Sequence, residues 1–147
     1  MSSDTQSAPE ILVIDDDAIM RDLVADWLEA AGYRVRKATS CRAWIEQFFG
    51  VKSPSLIITD MFMPGPCGVE AIGSLKKKHP KAGLIAVSGH FNSGQGLSAQ
   101  EALAAGADRA LGKPIRRQEL LQAASELLGK RGQDPFSLQT APDEKGS

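Results

Sequence analysis

The strongest constraint on this chain is a repeated alternation. Short apolar runs that stop abruptly at a polar residue are each followed by a longer amphipathic stretch. Ile11-Leu12-Val13-Ile14 stops at Asp15, Leu56-Ile57-Ile58 at Thr59-Asp60, and Leu84-Ile85-Ala86-Val87 at Ser88-Gly89. Tyr33 to Ala38 alternates as a strand does, and Arg109-Ala110-Leu111 is a short fifth candidate before Lys113-Pro114. Runs that are apolar at every position suit strands covered on both faces, as in a parallel sheet.

The stretches between these runs read as helices. Ile19, Leu23, Val24, Trp27, Leu28 and Ala31 follow the 3.6-residue period, and Gly32 stands where a left-handed residue commonly ends a helix. Further helices are expected over 40–49 and 68–78. A fourth opens at Ser98, with Glu101 completing a capping box, and ends near Gly106. The fifth, over 116–129, carries Leu120, Leu121, Ala124, Leu127 and Leu128. Five strands alternating with five helices predict a doubly wound α/β fold with a parallel sheet.

Composition narrows the class. A length of 147 residues with 42% hydrophobic side chains suits one domain with an ordinary core. A net charge of -1 excludes a generally polycationic nucleic-acid binder. No apolar run approaches the roughly 20 residues needed to span a bilayer. The opening MSSDTQSAP has neither the basic start nor the apolar stretch of a secretion signal. Cys41 and Cys67 make neither a disulfide scaffold nor a four-ligand zinc site. A cytoplasmic protein is expected, with one domain over 10–130 and mobile polar tails over 1–9 and 131–147.

In open α/β sheets the ligand site lies beyond the carboxyl ends of the strands. The residues at those ends are Asp15, Asp16 and Asp17, then Asp60, Ser88 and Lys113. Clustered carboxylates repel one another, and a hard divalent cation such as Mg²⁺ relieves this while sharing a phosphate. One carboxylate could attack phosphorus, with Lys113 and Ser88 holding the phosphoryl oxygens. Singly these residues are weak signals. An Asp triplet taken alone is usually a solvated turn or a helix cap, and Asp17 or Asp16 could cap the first helix. The run Lys76-Lys77-Lys78-His79 reads as a solvated helix end, and Trp27 and Trp44 as core or edge packing.

The motifs ILVIDDDA, LIITDMFMP, AVSG and GADRALGKP, in that order, resemble the receiver domain of two-component response regulators across about residues 9–130. The resemblance implies the flavodoxin-like strand order 2-1-3-4-5, phosphorylation on Asp60, and Mg²⁺ held by Asp15, Asp16, Asp60 and the Phe62 carbonyl. It makes Ser88 the hydroxyl switch residue, Lys113 the phosphate contact and Lys113–Pro114 a cis peptide. It also implies that Phe62 and His90 occupy the positions that tune acyl-phosphate lifetime. One departure is clear: Ala110 stands where receivers carry a rotating aromatic.

The implied partners are a sensor histidine kinase or histidine phosphotransfer protein and a downstream protein, without membrane or nucleic acid. About 17 residues after the last helix are too few for a helix-turn-helix module. The loop from Gly89 to Gly96 is the candidate for reordering, and a homodimer through the fourth and fifth helices is compatible. Two other functions fit parts of the pattern. A haloacid-dehalogenase-like phosphatase would use Asp15 as nucleophile and Asp17 as acid/base, but leaves Asp60 unexplained. A docking module that never takes phosphate would be consistent with Ala110.

Overall fold

The computed structural model describes residues 9–47, 53–61, 69–89 and 99–132. Strands and helices alternate: β1 (Glu10–Ile14), α1 (Ala18–Ala30), β2 (Arg34–Ala38), α2 (Cys41–Gln47), β3 (Leu56–Asp60), α3 (Val69–Lys78), β4 (Gly83–Ser88), α4 (Ala99–Ala105), β5 (Arg109–Gly112) and α5 (Arg117–Gly132). All strand pairs are parallel, in the order β2-β1-β3-β4-β5. The predicted fold class and strand order therefore hold. The α5 helix continues to Gly132, past the 129 that the leucine period marks. Ser98 of the expected capping box, both tails up to residue 8 and from 133, and the segment from His90 to Gly96 lie outside the described residues.

The apolar runs are continuous because both sheet faces are covered. Alternate residues go to opposite sides. Ile11, Val13, Leu56, Ile58, Ile85 and Val87 pack with Val24 and Leu28 of α1 and with Leu120, Ala124 and Leu127 of α5. Leu12, Ile14, Ile57, Leu84 and Ala86 pack on the other side with Trp44, Ala71, Ile72, Leu75 and Ala102 from α2, α3 and α4. Gly32 ends α1 with φ +101°, a left-handed conformation that a side chain would strain. Among the described residues no helix is long and apolar enough to cross a membrane.

The amino ends of the strands are closed by satisfied polar groups. Asp108 donates its N–H to the Leu84 carbonyl at 2.7 Å, and its Oδ2 accepts from the Leu84 N–H at 2.9 Å. His79 departs from the expected solvated helix end. Lys77 and Lys78 are exposed, but His79 is 1% exposed. Trp44 Nε1 donates to His79 Nε2 at 2.8 Å, and His79 Nδ1 lies 2.9 Å from Ser53 Oγ. An indole N–H can only donate. Nε2 is thus unprotonated, the proton sits on Nδ1, and the ring is neutral. Burial, and after it the charge of Lys78, hold the His79 pKa below its usual value.

A lowered histidine pKa means that the unfolded chain binds the proton more readily than the folded one. The stabilisation from this contact is then complete above the unfolded pKa of about 6.5 and fades as pH falls below it. His79→Phe should cost about 1–3 kcal/mol at alkaline pH, where the buried indole N–H loses this acceptor. Urea unfolding at several pH values should show the gap between wild type and variant closing on acidification.

Candidate functional site

The strand order places the crevice. β1 feeds α1 on one face of the sheet, whereas neighbouring β3 feeds α3 on the other. The chain separates between their carboxyl ends, which is where open α/β sheets bind ligands. Asp15 follows β1 directly, Asp60 is the last residue of β3, Ser88 the last of β4, and Lys113 follows β5.

These residues converge. Carboxylate oxygens of Asp15, Asp16 and Asp60 all lie within 4.8 Å of one another. Asp15 and Asp60 are each 5% exposed, while Asp16 faces solvent. Lys113 Nζ reaches 3.3 Å from Asp60 Oδ2 and 3.7 Å from Asp15 Oδ2. Ser88 is buried, and its carbonyl accepts from the Lys113 N–H at 3.1 Å. The Lys113–Pro114 peptide is cis. The Met61 N–H bonds to the Val87 carbonyl at 2.8 Å, which carries the β3–β4 pairing past Asp60.

The backbone holds the acidic groups against their repulsion. The Asp15 N–H donates to the Ala38 carbonyl at 3.1 Å, so β2 anchors the loop. Asp15 Oδ1 accepts from the Asp17 N–H at 2.9 Å, and Arg21 Nη1 donates to the Asp15 carbonyl at 2.9 Å. Burial pushes the Asp15 pKa above its usual value, and the Asp60 and Asp16 charges push the same way. The Asp17 amide and Lys113 pull in the opposite direction without cancelling this.

The donor set suits a hard cation. One carboxylate oxygen from each of Asp15, Asp16 and Asp60 stands close enough to the other two for all three residues to serve as ligands of one such ion. Asp17 is not part of that set. Its Oδ1 accepts from the Ile19 N–H at 3.0 Å and the Met20 N–H at 3.3 Å, which caps α1. A carboxylate committed to a helix cap is poorly placed as acid/base, and Asp60 sits in the cluster; both observations disfavour the phosphatase alternative. Ala110 is half-buried on β5, opposite Ala86. Phe62, Cys67 and His90 lie outside the described residues. The Arg21 contact has no sequence motif: an arginine in the first turn of a helix is ordinary.

Comparison with known proteins agrees with this architecture. The family described as "Response regulator receiver domain" matches residues 11–125. The chemotaxis protein CheY of Thermotoga maritima is 32% identical over 118 residues, which cover 80% of this chain and 95% of that protein. The transcriptional regulatory protein FixJ of Azorhizobium caulinodans is 34% identical over 119 residues, covering 80% of this chain but 54% of FixJ. A solved response regulator receiver domain protein from Clostridium thermocellum superposes with a TM-score of 0.71 at 29% identity, over 83% of this chain and 95% of that one. With its parallel sheet, its acidic crevice and its match over most of the length, the chain belongs to the receiver-domain family of two-component response regulators.

Proposed function

We propose that this chain accepts a phosphoryl group on Asp60 from a histidine kinase or histidine phosphotransfer protein, and uses it to switch a protein-binding surface. The observation that carries this is the meeting of Asp15, Asp16 and Asp60 with the Lys113 ammonium at one sheet edge. Asp15, Asp16 and Asp60 are the candidate Mg²⁺ ligands, with the Phe62 carbonyl added by family resemblance. Bound Mg²⁺ would supply neutralisation of the carboxylates and of the incoming phosphoryl oxygens.

The chain's own groups divide the work. A carboxylate oxygen of Asp60 attacks phosphorus. The new O–P bond forms as the donor's P–N bond breaks, and that electron pair stays on the departing imidazole nitrogen. Lys113 Nζ, 3.3 Å from Asp60 Oδ2, is placed to hold one phosphoryl oxygen. The enclosure of Asp60 limits the access of water to the acyl phosphate. Ser88, at the end of the adjacent strand, is assigned the hydroxyl that closes on another phosphoryl oxygen. Its strand leads through the segment 89–96 to α4, which couples the new charge to that surface. With a methyl group at Ala110, this coupling runs through Ser88 and backbone rather than through a swinging ring. The receiver is assigned to 10–130. The output we assign is protein contact that involves α4, and self-pairing through α4 and α5 is compatible with it.

Acetyl phosphate with Mg²⁺ should add one phosphoryl group to the protein by intact-mass analysis. Asp60→Asn should abolish the adduct, and Lys113→Ala should slow its formation by about 10²-fold or more, as loss of a charge-stabilising group typically does. An adduct that persists in Asp60→Asn would defeat the assignment. Asp15→Asn should raise metal-free stability in urea at neutral pH, because it removes one buried, mutually repelling charge. The same change should weaken Mg²⁺ binding by at least about tenfold.

A further inference from the structure

We propose that Arg21 is a positioning residue of the acidic site: its guanidinium clasps the Asp15 carbonyl and so sets where the Asp16 carboxylate stands relative to Asp15 and Asp60. The proposal rests on the metal reading given above. Asp15 lies one residue past β1, so its carbonyl has left the strand ladder. Arg21 Nη1 takes that carbonyl at 2.9 Å. The peptide from Asp15 to Asp16 is a rigid plane. Holding its oxygen fixes the plane, and with it the direction in which Asp16 departs from the buried strand end.

The clasp is anchored at both ends. The Arg21 N–H donates to the Asp17 carbonyl at 2.9 Å in the first turn of α1, and Asp17 Oδ1 caps that same turn. The side chain then runs back toward the helix N-terminus, the direction helical side chains favour. Residues 15, 17 and 21 thus form a closed set of contacts. The Asp15 N–H is held by Ala38, its Oδ1 by the Asp17 N–H and its carbonyl by Arg21. Asp15 Oδ2 is the oxygen turned toward Lys113. Supporting groups of this kind commonly govern how well a ligand set is organised for its ion.

Charge and geometry predict opposite signs for the loss of Arg21. By Coulomb's law alone, removing a cation beside a cation site should tighten Mg²⁺ binding. By positioning, it should weaken binding. The test is a Mg²⁺ titration of the ¹⁵N-labelled full chain, wild type against Arg21→Ala, followed through the amides of residues 15–17. Arg21→Ala is expected to weaken Mg²⁺ by about 10–100-fold, and to move the metal-free Asp16 amide, whose nitrogen shares the clasped peptide. Affinity that is unchanged or tighter overturns the proposal, even where urea shows a loss of stability, because a purely structural clasp would move only the latter. If Arg21→Ala does not fold, Arg21→Gln, uncharged and shorter, is read by the same sign. A wild-type chain that binds no Mg²⁺ defeats the metal reading itself and this proposal with it, whereas equal binding by both chains defeats this proposal alone.

Discussion

Three carboxylates within 4.8 Å of one another are electrostatically unfavourable, and the rest of the molecule makes that arrangement possible. Parallel pairing of β1 with β3 and β3 with β4 sets the heights at which the strands end. Asp15 and Asp60 arrive at the same edge because each follows or closes a strand in register with its neighbour. The residues do not choose each other; the ladder does. Lys113 offsets part of the repulsion, but burial still leaves Asp15 reluctant to ionise. A site of this kind is poised for an added cation, which relieves what the fold imposes.

The two ends of the sheet are built on different principles. At the amino ends, polar groups are matched and closed. Asp108 ties β5 to β4 through two bonds to Leu84, Lys76 Nζ donates to the Ala82 carbonyl at 2.8 Å, and Trp44, His79 and Ser53 form a neutral chain of contacts. Those contacts lock α2 and α3 against the core. At the carboxyl ends, charge of one sign is gathered and only partly answered. The first arrangement contributes stability; the second gives some of it up to keep reactive oxygens together, as functional sites commonly do.

The acidic loop shows how a helix serves such a site. Of three consecutive aspartates, one is turned into the crevice from a buried strand end, one stands at the solvent edge, and one caps α1. Identical side chains take three roles because the backbone leaves a strand and enters a helix within three residues. Arg21 then reaches back to the carbonyl at which the strand ends. Helix, strand and loop are thereby one mechanical unit.

Much of this was legible in the residues themselves. Continuous apolar runs require a sheet covered on both faces, and helical periodicity between them requires crossovers, so the layered fold follows from local patterns of burial. The polar residues that stop those runs marked Asp15, Asp60, Ser88 and Lys113, because the chain must turn polar where strands leave the core. The family resemblance singled out Asp15 and Asp16 as the metal pair, but local pattern alone left the helix cap open between Asp16 and Asp17. It could not show that His79, last in a basic run, is buried against Trp44, or that Arg21 grips a main-chain oxygen. Those outcomes depend on contacts between residues distant in sequence, or on the directions of side chains about a turn. Hydrophobic periodicity reports which face a residue occupies; only the packed chain decides which atom it meets there.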